Sequence, residues 1–484
     1  MIPRSIAGFF VFLSFLFGVF VHSFLPVSPL IAVGIGALGV SLITVGAFLR
    51  RSVLLLGFLV FAASLGLWRM AEAGAPNPVI EAVIGEERVF HALVIESPVP
   101  SGSASRIVTR TDELADTSMR LLVIAHRFPE YERGETIEVR GIVDSVDSDQ
   151  FPLNLKRRGI EGVVRFPEIR PVTPQPFSSL KYLNAVTKAF REALHGALPE
   201  PDAGYVLGIL IGERSSISSE LREAFNRTGT SHIVALSGFN ITIIAVFIGG
   251  IVGWFHWSPR VRFVTITVFI ALFVLLVEGG ASVIRAAVMG ILGLLARERS
   301  RVYEMTNALV FAGAVMVFLN PYLLRFDLSF QLSFLATLGI IIVPPYIRSL
   351  FNWLPGFLDI RENTIAAISA ELFVFPLILW HFGIVSVVGP LANLLVLPFI
   401  SLTMLGGFIV GVLGTVSFGV ARLVGWVLHV LVSYELGAIK ALAHMDVSAV
   451  SLPAFVAWIF AVPAFLLTSI YFYRRLSHGI RLAR

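Results

Sequence analysis

The sequence has no cysteine among its 484 residues. Disulfides, thiolate metal sites and cysteine nucleophiles are therefore excluded. Charge is the second scarcity. Asp, Glu, Lys and Arg make up 14% of the chain, against about 25% in ordinary soluble domains. No Walker motif and no His-x-His-x-Asp-His motif occurs, and the ten histidines are scattered without metal-ligand spacing. No metal and no cofactor is expected. What fills the space is apolar: 56% of the residues are hydrophobic, too many for a soluble chain to cover. The fold class that follows is a polytopic α-helical membrane protein with membrane lipids as its surroundings. The formal net charge of +5 belongs to juxtamembrane anchoring and is a weak argument for nucleic acid.

Residues 1–70 read as N-terminal transmembrane helices, with apolar runs at Ile6–Phe24, Leu30–Leu49 and Val53–Trp68. The first run is near the length of a bilayer span and longer than the apolar core of a signal peptide. Residues 71–176 change to strand alternation. Candidate strands are Arg88–Glu96, Arg106–Arg110, Met119–His126, Glu135–Val143 and Ile160–Phe166. Short strands at this density suit a small closed barrel of the OB type, and a plain antiparallel sandwich fits nearly as well. Residues 177–231 carry an amphipathic stretch, Leu180–Leu198, which suits an interfacial helix or one packed under the barrel. Residues 232–475 hold further apolar blocks and bring the expected total to about 12 spans. One of them, Val387–Gly411, contains Pro390 and Pro398 and could be two half-helices.

Arginines cluster at Arg50–Arg51, Arg260 with Arg262, Arg297 to Arg301, and Arg474 to Arg484. With the N-terminus inside, all four fall on one side, as the positive-inside rule asks. The chain then sits in a cell membrane with both termini cytoplasmic and residues 71–176 outside.

Ionisable groups are costly inside a membrane and usually face the bundle interior or water. His232, Leu236 and Asn240 would share one helix face, with Ser237 and the helix-weakening Gly238 between them. Glu278 and Arg285 flank Gly279, Gly280 and Ser282, so they either pair across a break or line a pathway. Asp327 and Gln331 are four apart, hence on one helix face. Glu371 and Asn393 read as a satisfied buried pair or as further lining. On the inserted domain, Phe151, Lys156, Arg157 and Arg158, with Phe128, Tyr131 and Arg133, offer cations and aromatics of the kind that hold a single strand. They would equally make a solvated face and core aromatics.

These residues carry a resemblance. The block Thr228-Gly229-Thr230-Ser231-His232-Ile233-Val234-Ala235-Leu236-Ser237-Gly238 resembles the ComEC competence-protein family. So do Asn307, Asn320-Pro321, the run Phe330 to Thr337, Ala392-Asn393-Leu394-Leu395, and Ser282 with Arg285-Ala286. Lys156-Arg157-Arg158-Gly159-Ile160 resembles the close of that family's OB domain. The resemblance implies an inner-membrane channel component for uptake of single-stranded DNA in natural transformation. Implied partners are single-stranded DNA, a second copy of the chain, and other competence proteins, including a separate nuclease or DNA motor. Two departures matter. Many members have a histidine where Asn240 stands, and many carry a metallo-β-lactamase-like domain whose motif is not found here. No nuclease activity is therefore expected of these residues. Rival readings are an intramembrane hydrolase or transferase using His232, Ser237 or Glu278, and a transporter of a lipid or small solute.

The orientation can be checked directly, because introduced cysteines meet no native ones. In intact cells an impermeant thiol reagent is expected to label Ser103→Cys and to spare Ser477→Cys. The reverse pattern would invert the topology.

Overall fold

Two units make up the chain in the computed structural model: Val11–Lys188 with Ala314–Leu328, and Met1–Phe10, Ala189–Gly313 and Ser329–Arg484. The described residues are 4–75, 78–114, 118–148, 152–172, 175, 178–213, 215–234, 236, 238–255, 257–299, 303–356, 360–445 and 448–481.

Helices α1 (Arg4–Phe24), α2 (Pro29–Phe48) and α3 (Arg51–Gly74) account for the first three apolar runs. Ser28 caps α2, its hydroxyl accepting from the Ile31 N–H at 3.4 Å, and Pro29 occupies the first turn, where no N–H is needed. Glycines bring α2 and α3 into backbone contact. A Cβ on Gly46 would sit 2.2 Å from the Leu54 nitrogen, and one on Gly57 would sit 2.6 Å from the Ile43 nitrogen. Lipid gives helices no hydrophobic drive to associate, so close approach through small residues is the device that joins them.

After α4 (Pro78–Glu81) come β1 (Glu87–Val94), β2 (Val99–Ser101), β3 (Ala104–Thr111), β4 (Met119–His126) and β5 (Thr136–Ser145). Next are α5 (Pro152–Arg157), β6 (Gly162–Arg165) and β7 (Glu168–Pro171). The sheet closes on itself. β1 pairs β3, β3 pairs β4, β4 pairs β6, β6 pairs β5 and β5 returns to β1. Only the β4–β6 pair in this ring is parallel, and the α5 crossover supplies the residues that a parallel connection needs. Closure follows from alternation: Phe90, Ala92, Val94, Ile107, Leu121, Val123, Ile137, Val139 and Val164 form one interior. A second layer, Val108, Leu122 and Val163, lies under Leu155 of α5 and Ile160. Of the barrel and sandwich readings, the closed one holds.

The other helices are α6 (Ser179–Ala197), α7 (Asp202–Ile211), α8 (Ser219–Arg227), α9 (Ser231–Val234), α10 (Gly238–Trp254), α11 (Pro259–Leu276) and α12 (Ala281–Glu298). Then follow α13 (Met305–Leu319), α14 (Leu323–Phe326), α15 (Leu328–Ile342), α16 (Pro344–Ile347) and α17 (Ile360–Phe382). The chain ends with β8 (Ile384–Ser386), α18 (Gly389–Val416), α19 (Phe418–Ala443), β9 (Ala449–Ser451) and α20 (Ala457–Arg481). The short α7 is the axis of this part. Its residues from Asp202 to Leu210 are all buried, in a core shared with Leu194 of α6, Phe225 of α8, Val396 of α18 and Val432 of α19.

Among the described residues, eight helices are long and apolar enough to cross a membrane, or nine if the α15–α16 pair, bent by 46°, is one span. Helices α7, α13 and residues 240–254 of α10 are apolar but shorter. The sequence blocks map onto these helices with two differences. The Val387–Gly411 block is a single helix from Gly389 onward, α18, with Pro398 inside it. The block from His232 to Phe255 is split, because α9 ends at Val234 and α10 starts at Gly238.

The α2–α3 contact makes a prediction. Gly46→Ile should destabilise the purified protein by about 1–3 kcal/mol, the range for overpacking. Gly34→Ile, where a Cβ meets nothing within 4 Å, should leave its thermal melting unchanged.

Candidate functional site

The polar residues divide into a central seam and several satellites. The seam lies between α12 and α15, beside the start of α10. Ser282 and Ser333 share a hydrogen bond at 2.9 Å. Arg285 donates from Nη1 to the Thr337 hydroxyl, and that hydroxyl donates to the Ser333 carbonyl at 2.9 Å. The guanidinium also lies over the Phe334 ring, 5.9 Å from its centroid. Gly238 permits this placement: a Cβ there would be 2.7 Å from Arg285 Nη2. Arg285 is only 8% exposed, its Nε lacks a hydrogen-bond partner, and no carboxylate pairs with it among the described residues. A buried cation without a counter-charge is expensive unless something anionic visits it.

The structure brings Gly238, Ser282 and Arg285 together and places the other expected residues elsewhere. Gln331 is half-buried on α15. Glu278 is exposed in the turn after α11, with a left-handed φ of 52°. Arg285 therefore bonds Thr337 rather than Glu278 across the break. Asn240 is buried and donates to the Ile209 carbonyl of α7 at 2.7 Å. His232 is exposed, with Nδ1 3.0 Å from the Gly229 carbonyl. The shared helix face expected for His232, Leu236 and Asn240 does not form, because the helix breaks between them. Ser237 lies outside the described residues. Glu371 and Asn393 form their own pair across α17 and α18, with Asn393 Nδ2 donating to Glu371 Oε1 at 2.9 Å.

Asp327 corrects the sequence reading most sharply. It is not helical: it ends α14 with extended backbone, so helical spacing does not put it on the Gln331 face. Its carboxylate instead binds Arg157 Nη1 of α5 at 2.8 Å. Asn320 adds a bond from Nδ2 to the Arg157 carbonyl. The three-residue basic run is thus neutralised where it stands: Lys156 pairs with Asp147 at 2.7 Å, Arg157 with Asp327, and Arg158 with Glu96. Phe151 lies outside the described residues. Arg133 is buried and donates to the Ile95 carbonyl, and Tyr131 packs on the barrel interior.

A different barrel face keeps its cations. Arg106, Arg110, Arg120 and Arg127 are exposed on β3 and β4 and just past β4, and Arg110 stands directly opposite Arg120. Exposed Phe128 lies under Arg127, and exposed Phe166 lies beside His126. The β1–β5 side carries mixed charge instead, with Arg140 on Glu87 and His91 on Glu113. The backbone N–H of His91 holds the Glu113 carboxyl below the usual range. Sequence spacing missed this face, because side-chain direction on a closed sheet depends on register.

A model of the family described as "Competence protein" matches residues 209–477. ComE operon protein 3 of Bacillus subtilis (strain 168) is 29% identical over 256 residues, which are 52% of this chain and 31% of that protein. The uncharacterized protein YcaI of Escherichia coli (strain K12) is 32% identical over 69 residues, 12% of this chain and 9% of that protein. The chain therefore spans less than a third of the length of either relative. No solved structure matches it significantly.

The Arg157–Asp327 pair is mostly buried, with 24% and 12% side-chain exposure. Arg157→Ala and Asp327→Ala should each lower thermal stability, and the double variant should lose less than their sum. A double-mutant cycle is expected to show a coupling of about 1 kcal/mol or more. Additive losses would mean that the pair is incidental.

Proposed function

The chain belongs to the competence protein family, and from that premise we propose that it is a component of an inner-membrane channel for single-stranded DNA taken up in natural transformation. The observation that carries the reading is Arg285. A polyanion passing the α12–α15 seam would give this buried guanidinium the counter-charge that the protein withholds, while Ser282, Ser333 and Thr337 offer hydroxyls to the same phosphate. Arginine suits this task because its fork matches phosphate oxygens.

The outer domain fits the same task. A ring of five strands with one parallel pair is the arrangement read here as an OB-type barrel, and the β3–β4 face supplies cations and aromatics for a flexible strand. We place this domain outside and both termini inside, on the arginine clusters named above. In this reading the bent pair, α10, α12 and α13 also cross, in addition to the eight long helices. In this reading the component works with partners. A separate nuclease and a DNA motor are the kinds expected, alongside surrounding lipids and a second copy of the chain. We propose no DNA cleavage for these residues, because the sequence holds no His-x-His-x-Asp-His motif.

The test is labelled-DNA uptake in a competent strain lacking its own copy of the gene, with variants re-expressed at equal membrane level. Arg285→Gln should lower uptake about tenfold or more, the effect of losing one contact of about 1.4 kcal/mol. Arg285→Lys should retain more. Uptake at the wild-type rate in Arg285→Gln would overturn the reading.

A further inference from the structure

A second polar array lies away from the Arg285 seam, around the buried helix α7. Tyr205 is the bulkiest fully buried side chain among the described residues. Its ring stacks on Phe225 of α8, with centroids 5.8 Å apart, and its hydroxyl has no hydrogen-bond partner. Glu435 of α19 approaches that hydroxyl. Glu435 is 0% exposed. Its Oε1 accepts from Thr403 Oγ1 of α18 at 2.7 Å, and its Oε2 has no partner. One turn back on α7, buried Asp202 binds Nδ1 of His429, whose ring is partly exposed.

The surroundings exclude a simple ion pair. Helix α18 carries no charged residue. On α8, Glu220, Arg222 and Glu223 are exposed, and Arg227 binds Ser448. On α6, His195 pairs with Glu200 and Glu192 is exposed. On α19 itself, Arg422 and Tyr434 are exposed and Lys440 lies more than a turn beyond Glu435. No ion pair reaches Glu435 among the described residues. A carboxylate with one donor and no cation is expensive in an apolar bundle, whereas a carboxylic acid there has a proton to offer from Oε2. Chains of His, Asp and Glu at membrane depth are the usual build of proton paths.

We propose that Glu435 is a proton-binding site of the bundle, and that its loading and release accompany substrate passage. Loading adds one proton from water to Oε2 of Glu435, the oxygen left without a partner, and release returns that proton to water. Only the coupling to passage rests on the import reading; the proton site does not.

The experiment is infrared difference spectroscopy between low and high pH on the purified full chain in lipid nanodiscs, without DNA. The wild type should show a carboxylic-acid C=O band that is lost as pH rises and is absent in Glu435→Gln. Thr403→Val removes the donor on Oε1, and Tyr205→Phe removes the neighbouring hydroxyl; each keeps the carboxyl and should shift the band. Uptake by Glu435→Gln should fall several-fold in the strain assay. An acid band that survives in Glu435→Gln, or one that never titrates, would overturn the proposal. If the band behaves as expected but no variant alters DNA uptake, the coupling to passage is overturned and the proton site stands.

Discussion

Inside this bundle a buried polar side chain must be satisfied by another part of the protein, and Arg285 is a buried cation for which that match is incomplete. Most membrane-depth polar groups here are paired off. Asn240 is tied to α7, Asn393 to Glu371, and Ser282 to Ser333. Arg285 has hydroxyl and aromatic company but no opposite charge. Burial of such a group is destabilising for the resting protein. Gly238 beside it leaves the room that the guanidinium occupies; in the proposed reading, its counter-charge is the passing strand.

Two further devices shape the other unit. Glycines allow α2 and α3 to lie backbone to backbone, so the N-terminal helices associate without a polar core. The barrel closes around its own apolar interior and turns the cations of β3 and β4 outward. Ion pairs then decide which of its basic residues are available. Lys156, Arg157 and Arg158 are committed to holding α5 and its neighbours, while Arg106, Arg110, Arg120 and Arg127 are left exposed. The residues with the strongest sequence pattern therefore serve the scaffold, and a less conspicuous set forms the face.

The strands were legible in the sequence because alternation and closure are two views of one constraint. Met119–His126 was read and observed with the same limits. The long apolar helices were legible from run length alone. Side-chain partners were not. Asp327 and Gln331 have helical spacing, but the chain is extended at Asp327, and spacing cannot report that. His232, Leu236 and Asn240 failed as a face for the same reason, although the break beside Gly238 was expected. Glu435 went unread because it lies inside an apolar block that otherwise signals a plain span. An acid six residues after His429 in such a block was the available signal.

Photocrosslinking during transport tests the central claim most directly. A photoreactive residue placed at Ser333, in the seam, and another at Val268, an exposed position of α11, would be activated while labelled single-stranded DNA is being taken up. The account predicts covalent DNA adducts from position 333 and none from position 268. Lipid adducts alone at both positions, with uptake proceeding normally, would contradict it.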